Sequence, residues 1–150
     1  MSIWFRPFTL DDLTVHARDT MVEHLAISFT EIGPDYIRGT MPVDRRTHQT
    51  MGILHGGASV ALAETLGSVG GNLCLDNTRR VCVGQEINAN HLRPVPTGVV
   101  TGTARPIHLG TRSQVWQIEI HDERERLICI SRLTLAVIDR EAVPPMRSSS

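Results

Sequence analysis

Lysine is absent from this 150-residue chain, and all fifteen of its basic side chains are arginine. That removes lysine Schiff-base chemistry and the phosphate-binding lysine of a P-loop. The formal net charge is −1, so the basic excess of a non-specific nucleic-acid binder is missing. Cysteine is scarce. Cys74, Cys82 and Cys129 are odd in number and lack CxxC spacing, which predicts buried free thiols in a reducing, cytoplasmic setting. The seven histidines show no HExxH or paired-ligand spacing, so no metal site is expected. Met1 to Phe8 has no basic region followed by an apolar core, so it does not read as a signal peptide. No apolar run approaches the roughly 20 residues of a membrane span, because Glu64 interrupts the best candidate.

What is present is the composition of one soluble globular domain, with 41% apolar and 21% charged residues. The stretch from Gly52 to Cys74 organises it. From about Gly57 it predicts a helix, with Leu62, Leu66, Val69 and Leu73 on one face. Gly67, Gly70 and Gly71 together forgo about 2–3 kcal/mol of helix propensity relative to alanine. Such a concession predicts close approach of another backbone, as when a sheet wraps the helix.

Before this helix, Thr9 and Asp12 form a variant capping box that starts a short helix through about Ala17, with another turn near Met21 to Leu25. Ala26 to Ile32 and Tyr36 to Val43 alternate around Gly33-Pro-Asp35, a hairpin signal. After it come four β-rich runs: Arg80 to Leu92, Val99 to His108, Ser113 to His121 and Leu127 to Ile138. Short connections predict antiparallel neighbours. Trp116, Ile118 and Ile120 fall on one face. The expected architecture is α+β, one long helix on one antiparallel sheet of about six strands, over residues 1–140. Residues 141–150 read as a disordered tail. Open sheet edges predict a homodimer.

Glu64 is a lone carboxylate among small apolar residues, which calls for a partner, a raised pKa or a chemical role. A solvent-facing glutamate is the competing reading. Ser68, one turn on, can hydrogen-bond it or hold a water. Gly56 and Gly57 stand where backbone amides lack intrahelical acceptors, and can hold an oxyanion or simply form the turn into the helix. Gln49 can donate to a carbonyl or orient a water. His55 can act as a base, though a histidine just before a helix more often holds the loop. His91 can line an acyl pocket or merely end a strand. Arg93, Arg105 and Arg112 can hold phosphates of a nucleotide-bearing carrier or solvate a surface. Eight residues separate Gly56 from Glu64, about 12 Å of helix. That separation predicts that Glu64 serves an amide site on another subunit.

Five segments, Pro42 to Gln49, Gly52 to Ser59, Ala63 to Ser68, Glu86 to His91 and His108 to Gln117, resemble the hotdog-fold acyl-CoA thioesterases. The resemblance is to the subgroup of the 1,4-dihydroxy-2-naphthoyl-CoA and enterobactin-pathway proofreading thioesterases, PaaI-like enzymes, and runs from about Ile3 to Ile138. It implies a hotdog fold and a homodimer with shared sites, paired into a tetramer. It implies Glu64 as nucleophile or general base and Gly56 as oxyanion donor. Gln49 and His55 would position thioester and water, with Ser68 beside the carboxylate. Gly84, His91, Leu92, Arg93 and Pro94, and the run His108, Leu109, Gly110, Thr111, Arg112 and Ser113, would contact acyl group and coenzyme A. Thr50-Met51 departs from the Pro-Phe of close relatives, which reshapes the acyl pocket.

The expected reaction is hydrolysis of an aromatic acyl thioester, hydroxybenzoyl- or dihydroxynaphthoyl-like. No cofactor is expected beyond the coenzyme A or acyl carrier of the substrate, and no nucleic acid or membrane partner. Two rivals are a hotdog hydratase or dehydratase, whose usual motif is missing, and a non-catalytic acyl-CoA binding protein, which would not need Glu64, Gln49 and Ser68 together. An α/β-hydrolase is excluded because the GxSxG elbow is broken at Gly57-Ala-Ser-Val-Ala61.

Overall fold

The computed structural model describes residues 1–145. Its centre is α3, Gly56–Leu73, with β1 (Ser28–Ile32), β2 (Ile37–Val43), β3 (Arg80–His91), β4 (Gly98–Leu109), β5 (Ser113–His121) and β6 (Leu127–Asp139) in one antiparallel sheet around it. Two short helices precede it: α1, Leu10–Thr14, and α2, Met21–His24. This is the α+β hotdog arrangement expected from the sequence, a six-stranded sheet wrapped on one long helix.

The expected capping box starts α1. The Thr9 amide donates to Asp12 Oδ2 at 2.7 Å, and the Asp12 amide donates to Thr9 Oγ1 at 3.3 Å. The Thr9 amide and the Thr9 hydroxyl, both donating to Asp12 Oδ2, hold the Asp12 carboxyl below the usual carboxylate range. A 3-10 turn, Val15–Ala17, continues from α1.

The core lies between α3 and the sheet. Leu62, Leu66, Ile37, Trp116, Ile118 and Leu133 are wholly buried. Burying a leucine contributes about 1.5–3 kcal/mol. β2 and β5 alternate strictly between buried and half-buried residues. The glycines of α3 do admit close approach, though by side chains and not by backbone. A Cβ at Gly67 would lie 2.6 Å from Leu133 Cδ2, at Gly70 2.9 Å from Trp116 and at Gly71 2.5 Å from Leu135 Cδ1. Gly39 and Gly102 on the sheet are the reciprocal notches, each filled by Leu66. Val69, placed on the apolar face by spacing, is only half-buried.

One expectation fails. The last four strands are not all neighbours in sequence order. The sheet order is β1-β2-β4-β5-β6-β3, so β4 lies between β2 and β5, and β3 crosses to the far edge beside β6. The Leu92–Thr97 link explains this. Its six residues are long enough to join two neighbouring strands. The link is instead pinned across the start of α3, with the Leu54 amide donating to the Val95 carbonyl at 2.8 Å and the Leu92 amide to the Ile128 carbonyl at 2.8 Å. Of the expected tail, Glu141 and Ala142 form a 3-10 turn with Arg140, and residues 146–150 lie outside the described residues. Among the described residues no helix is long and apolar enough to cross a membrane.

Candidate active site

The start of α3 separates the roles of its two glycines. His55 is the N-cap, and its Nδ1 accepts the Gly57 amide at 2.7 Å. A Cβ at Gly57 would lie 2.9 Å from that nitrogen, so the cap requires glycine. The accepting Nδ1 puts the proton of a neutral His55 ring on Nε2. The Ala58 and Ser59 amides donate to the His55 carbonyl at 3.0 and 3.2 Å. Gly56 alone in this turn has an amide without an acceptor among the described residues. It points to the positive end of the helix dipole, the place for a developing oxyanion. Of the two earlier readings, the turn-forming one describes Gly57, while Gly56 keeps a free donor.

The cavity at Gly56 has a volume of about 350 Å³ and is lined also by Gln49, Ser59, His91, Leu92, Arg93 and Pro94. His91 arrives from the end of β3, its Nε2 2.7 Å from where a Gly56 Cβ would stand. Gln49 is fixed by a turn. Its side-chain oxygen accepts from the Met51 amide, its backbone amide donates to Ile53 at 2.9 Å, and Gly52 takes φ +74°. The Gln49 oxygen is thereby occupied and the NH2 group remains as a donor. Upstream, Arg46 binds the Asp44 carboxylate and lowers its pKa to about 2. Thr47, buried beside it, donates to the Pro42 carbonyl at 2.9 Å. These bonds set the loop that delivers Gln49.

Glu64 lies elsewhere. Its carboxylate rests over Gly84 of β3, where a Cβ would collide with Oε1. It has no hydrogen bond or ion pair among the described residues. It borders a cavity of about 200 Å³ with Met21, Val22 and Ile27. Ser68, one turn on, opens into a third cavity of about 550 Å³.

Within one chain, then, Gln49, His55, Gly56 and the His91–Pro94 segment gather at the N-terminus of α3, and Glu64 gathers with Gly84 and Ser68 further along. The loop from His108 to Ser113 does not join the Gly56 group. It turns at the other end of the sheet, where the Arg80 side chain donates to the Thr111 carbonyl at 3.2 Å and the Gly110 amide to the Ser113 carbonyl at 2.9 Å. Ser113 pairs with Ala136 and His91 with Cys129, seven residues apart on β6, about 23 Å. Arg105 is committed to Asp35 at 2.8 Å. Residues that sequence reasoning does not single out are Phe8, Leu13 and His16, which wall the Ser68 cavity from the N-terminal segment. A five-residue helix offers too little periodicity to mark them. Among the described residues no group of three or more His, Cys, Asp or Glu side chains is placed to hold a metal.

The description "Thioesterase superfamily" belongs to the family whose profile matches residues 51–129. The chain is 54% identical over 136 residues to the 1,4-dihydroxy-2-naphthoyl-CoA hydrolase of Escherichia coli K12, covering 91% of this chain and 99% of that one. It is 52% identical over 136 residues to the proofreading thioesterase EntH of Cronobacter sakazakii, covering 91% and 98%. Among solved structures, thioesterase HI1161 of Haemophilus influenzae superposes with a TM-score of 0.88 at 52% identity, covering 92% of this chain and 96% of that one.

Proposed function

The chain belongs to the thioesterase superfamily, and from that premise we propose that it hydrolyses an aromatic acyl-CoA thioester at a site shared by two copies of itself. The observation that carries this reading is the pair of unpartnered groups on one helix, the Gly56 amide and the Glu64 carboxylate. They are complementary to the two charges of thioester hydrolysis, a carbonyl oxygen turning anionic and a water losing its proton. About 12 Å of helix keeps them from one substrate within a chain.

A second copy closes the gap. β3 is a sheet edge of twelve residues with its outer side unpaired among the described residues. Antiparallel pairing with a second β3 about an axis at Asn88 sets Ile87 opposite the partner's Ala89. The Gly84/Glu86 bulge shifts the register by one residue and sets Gly84 opposite the partner's His91. Gly84 lies under Glu64, and His91 lies over Gly56. One pairing thus joins each acid to the other copy's amide. The free Gln49 NH2 then orients the thioester, and Arg93 stands at the cavity mouth for a carrier phosphate.

In this site the Gly56 amide polarises the carbonyl. Glu64 deprotonates the attacking water, or attacks first to give an anhydride that water opens. Release of free coenzyme A from 4-hydroxybenzoyl-CoA, lost in Glu64→Ala, tests the reaction. Subunit mixing tests the sharing. Glu64→Ala and Gly56→Val chains, each inactive alone, should recover about a quarter of wild-type activity on random exchange, since half the dimers then hold one intact site of two. No recovery after verified exchange would overturn the shared site.

A further inference from the structure

The cavity of about 550 Å³ beside Ser68 is closed on one side by the N-terminal segment. Its inner end is Ser68, about 6 Å along the helix from Glu64. Its body is apolar, with Phe8, Leu13, Val69, Leu73 and Val81. Its mouth is polar, with Arg6, Asp12 and His16. Volume and lining are those of a small-ligand pocket, apolar with a few polar groups.

The wall is anchored. The Phe5 amide donates to the Leu73 carbonyl at 2.8 Å, the Trp4 indole to the Gly33 carbonyl at 2.7 Å, and Trp4 stacks on Trp116 at 6.4 Å. Arg6 and Asp12 at the mouth are already engaged, and so are Arg140 and Asn77 in the same lining, which donate to the Pro144 carbonyl at 3.4 Å and the Asn72 carbonyl at 3.0 Å. Arg6 lies 4.0 Å over the Phe8 ring and donates to the Pro7 carbonyl, and Asp12 caps α1 through Thr9. His16 makes no side-chain hydrogen bond among the described residues, and its ring can donate and accept.

We propose that this cavity takes the aromatic ring of the acyl group, that Phe8 forms its outer wall, and that His16 hydrogen-bonds a ring hydroxyl at its mouth. The inference rests on the thioesterase reading above and adds the residue that sets acyl preference. Rates on 3- and 4-hydroxybenzoyl-CoA, benzoyl-CoA and acetyl-CoA test it, in wild type, His16→Phe, Phe8→Ala and a control, His24→Phe. The preference for a hydroxylated over a plain ring should fall about five-fold in His16→Phe, through KM, the worth of one hydrogen bond. Phe8→Ala should slow both aromatic substrates and spare acetyl-CoA, and His24→Phe should match wild type. An unchanged hydroxyl preference in His16→Phe would overturn the proposal.

If wild type cleaves no aromatic thioester, the aromatic reading of function fails and binding decides the pocket. Calorimetry would then compare acetophenone with 3- and 4-hydroxyacetophenone, which carry the same ring and carbonyl. Tighter binding of a hydroxylated ring that disappears in His16→Phe supports the pocket, and equal or absent binding overturns it.

Discussion

On the sheet side of α3, Gly67, Gly70 and Gly71 make room for Leu133, Trp116 and Leu135, and the space is filled. On the flank toward the edge strand β3 and the N-terminal segment, Ala61, Glu64 and Ser68 border cavities. The two sides share a vocabulary of small residues and differ in what faces them. β2, β5 and β6 supply bulky side chains to one, while the β3 edge and a thin N-terminal segment cover the other only in part. Small residues in a helix therefore do not by themselves mean tight packing. The lesson is that small helix residues are packed tight where a bulky partner surface is present and leave a cavity where it is missing.

The comparison is sharpest if the two sides can be damaged separately. The largest effect is expected from Glu64→Gln, which should lower thioester hydrolysis by about 10²–10⁴-fold. Thermal unfolding of this variant should stay close to wild type, because the carboxylate has no partner to lose. A large drop in melting temperature would show that Glu64 belongs to the packed side after all. Next is Leu66→Ala, whose side chain fills the notches at Gly39 and Gly102. Urea denaturation should show a loss of about 2–5 kcal/mol.

Gly84→Ala crosses the divide. Its methyl would displace the Glu64 carboxylate, and a misplacement near 1 Å is enough to cost on the order of 10–100-fold in kcat. The protein should remain as stable as wild type by calorimetry. Gly71→Ala is smaller. Its methyl meets Leu135, Gln114 and Cys82 together, an overpacking of about 1–3 kcal/mol that a helix-propensity gain of about 1 kcal/mol offsets. Denaturation should therefore show a net loss, and a net gain would mean that this side is looser than the packing implies.

The smallest effect concerns the thiol on the packed side. Burial pushes Cys129 up from 9.0 to about 11. A thiol whose folded pKa is raised supports stability below pH 9 and loses that support as pH rises from about 9 to about 11. Cys129 should resist a thiol reagent at pH 8 until denaturant is added, and rapid labelling of the native protein at this residue would contradict the closed side.

Much of the architecture was legible because it is local. Thr9 and Asp12 announced the capping box that starts α1. Alternation placed Trp116, Ile118 and Ile120 on the core face of β5, but said nothing of Gln114. That residue joins them by accepting from the Trp116 indole at 2.9 Å and donating to the Gly71 carbonyl at 3.3 Å. His55 was legible as a loop-holding residue, and it is the N-cap. The site was legible as a set of residue types and not as an arrangement. Nothing in Gly56-Gly57 says which amide is taken by the cap, and nothing near residue 16 announces a cavity that forms only when the N-terminal segment is tied to the end of α3 through Phe5 and Leu73.

The sequence alone therefore decided which segments become helix or strand, which of their faces turn inward, and that a lone acid sits in the middle of the longest helix. Those properties depend on residues within a few positions of each other, where periodicity and capping act. Tertiary structure decided that β4 sits beside β2, that β3 becomes a free edge, and that Glu64 rests over Gly84 while the unclaimed Gly56 amide opens into a different cavity. These depend on contacts between distant positions. A six-residue link such as Leu92–Thr97 can serve a hairpin or a crossover equally well, until the hydrogen bonds to Leu54 and Ile128 choose between them.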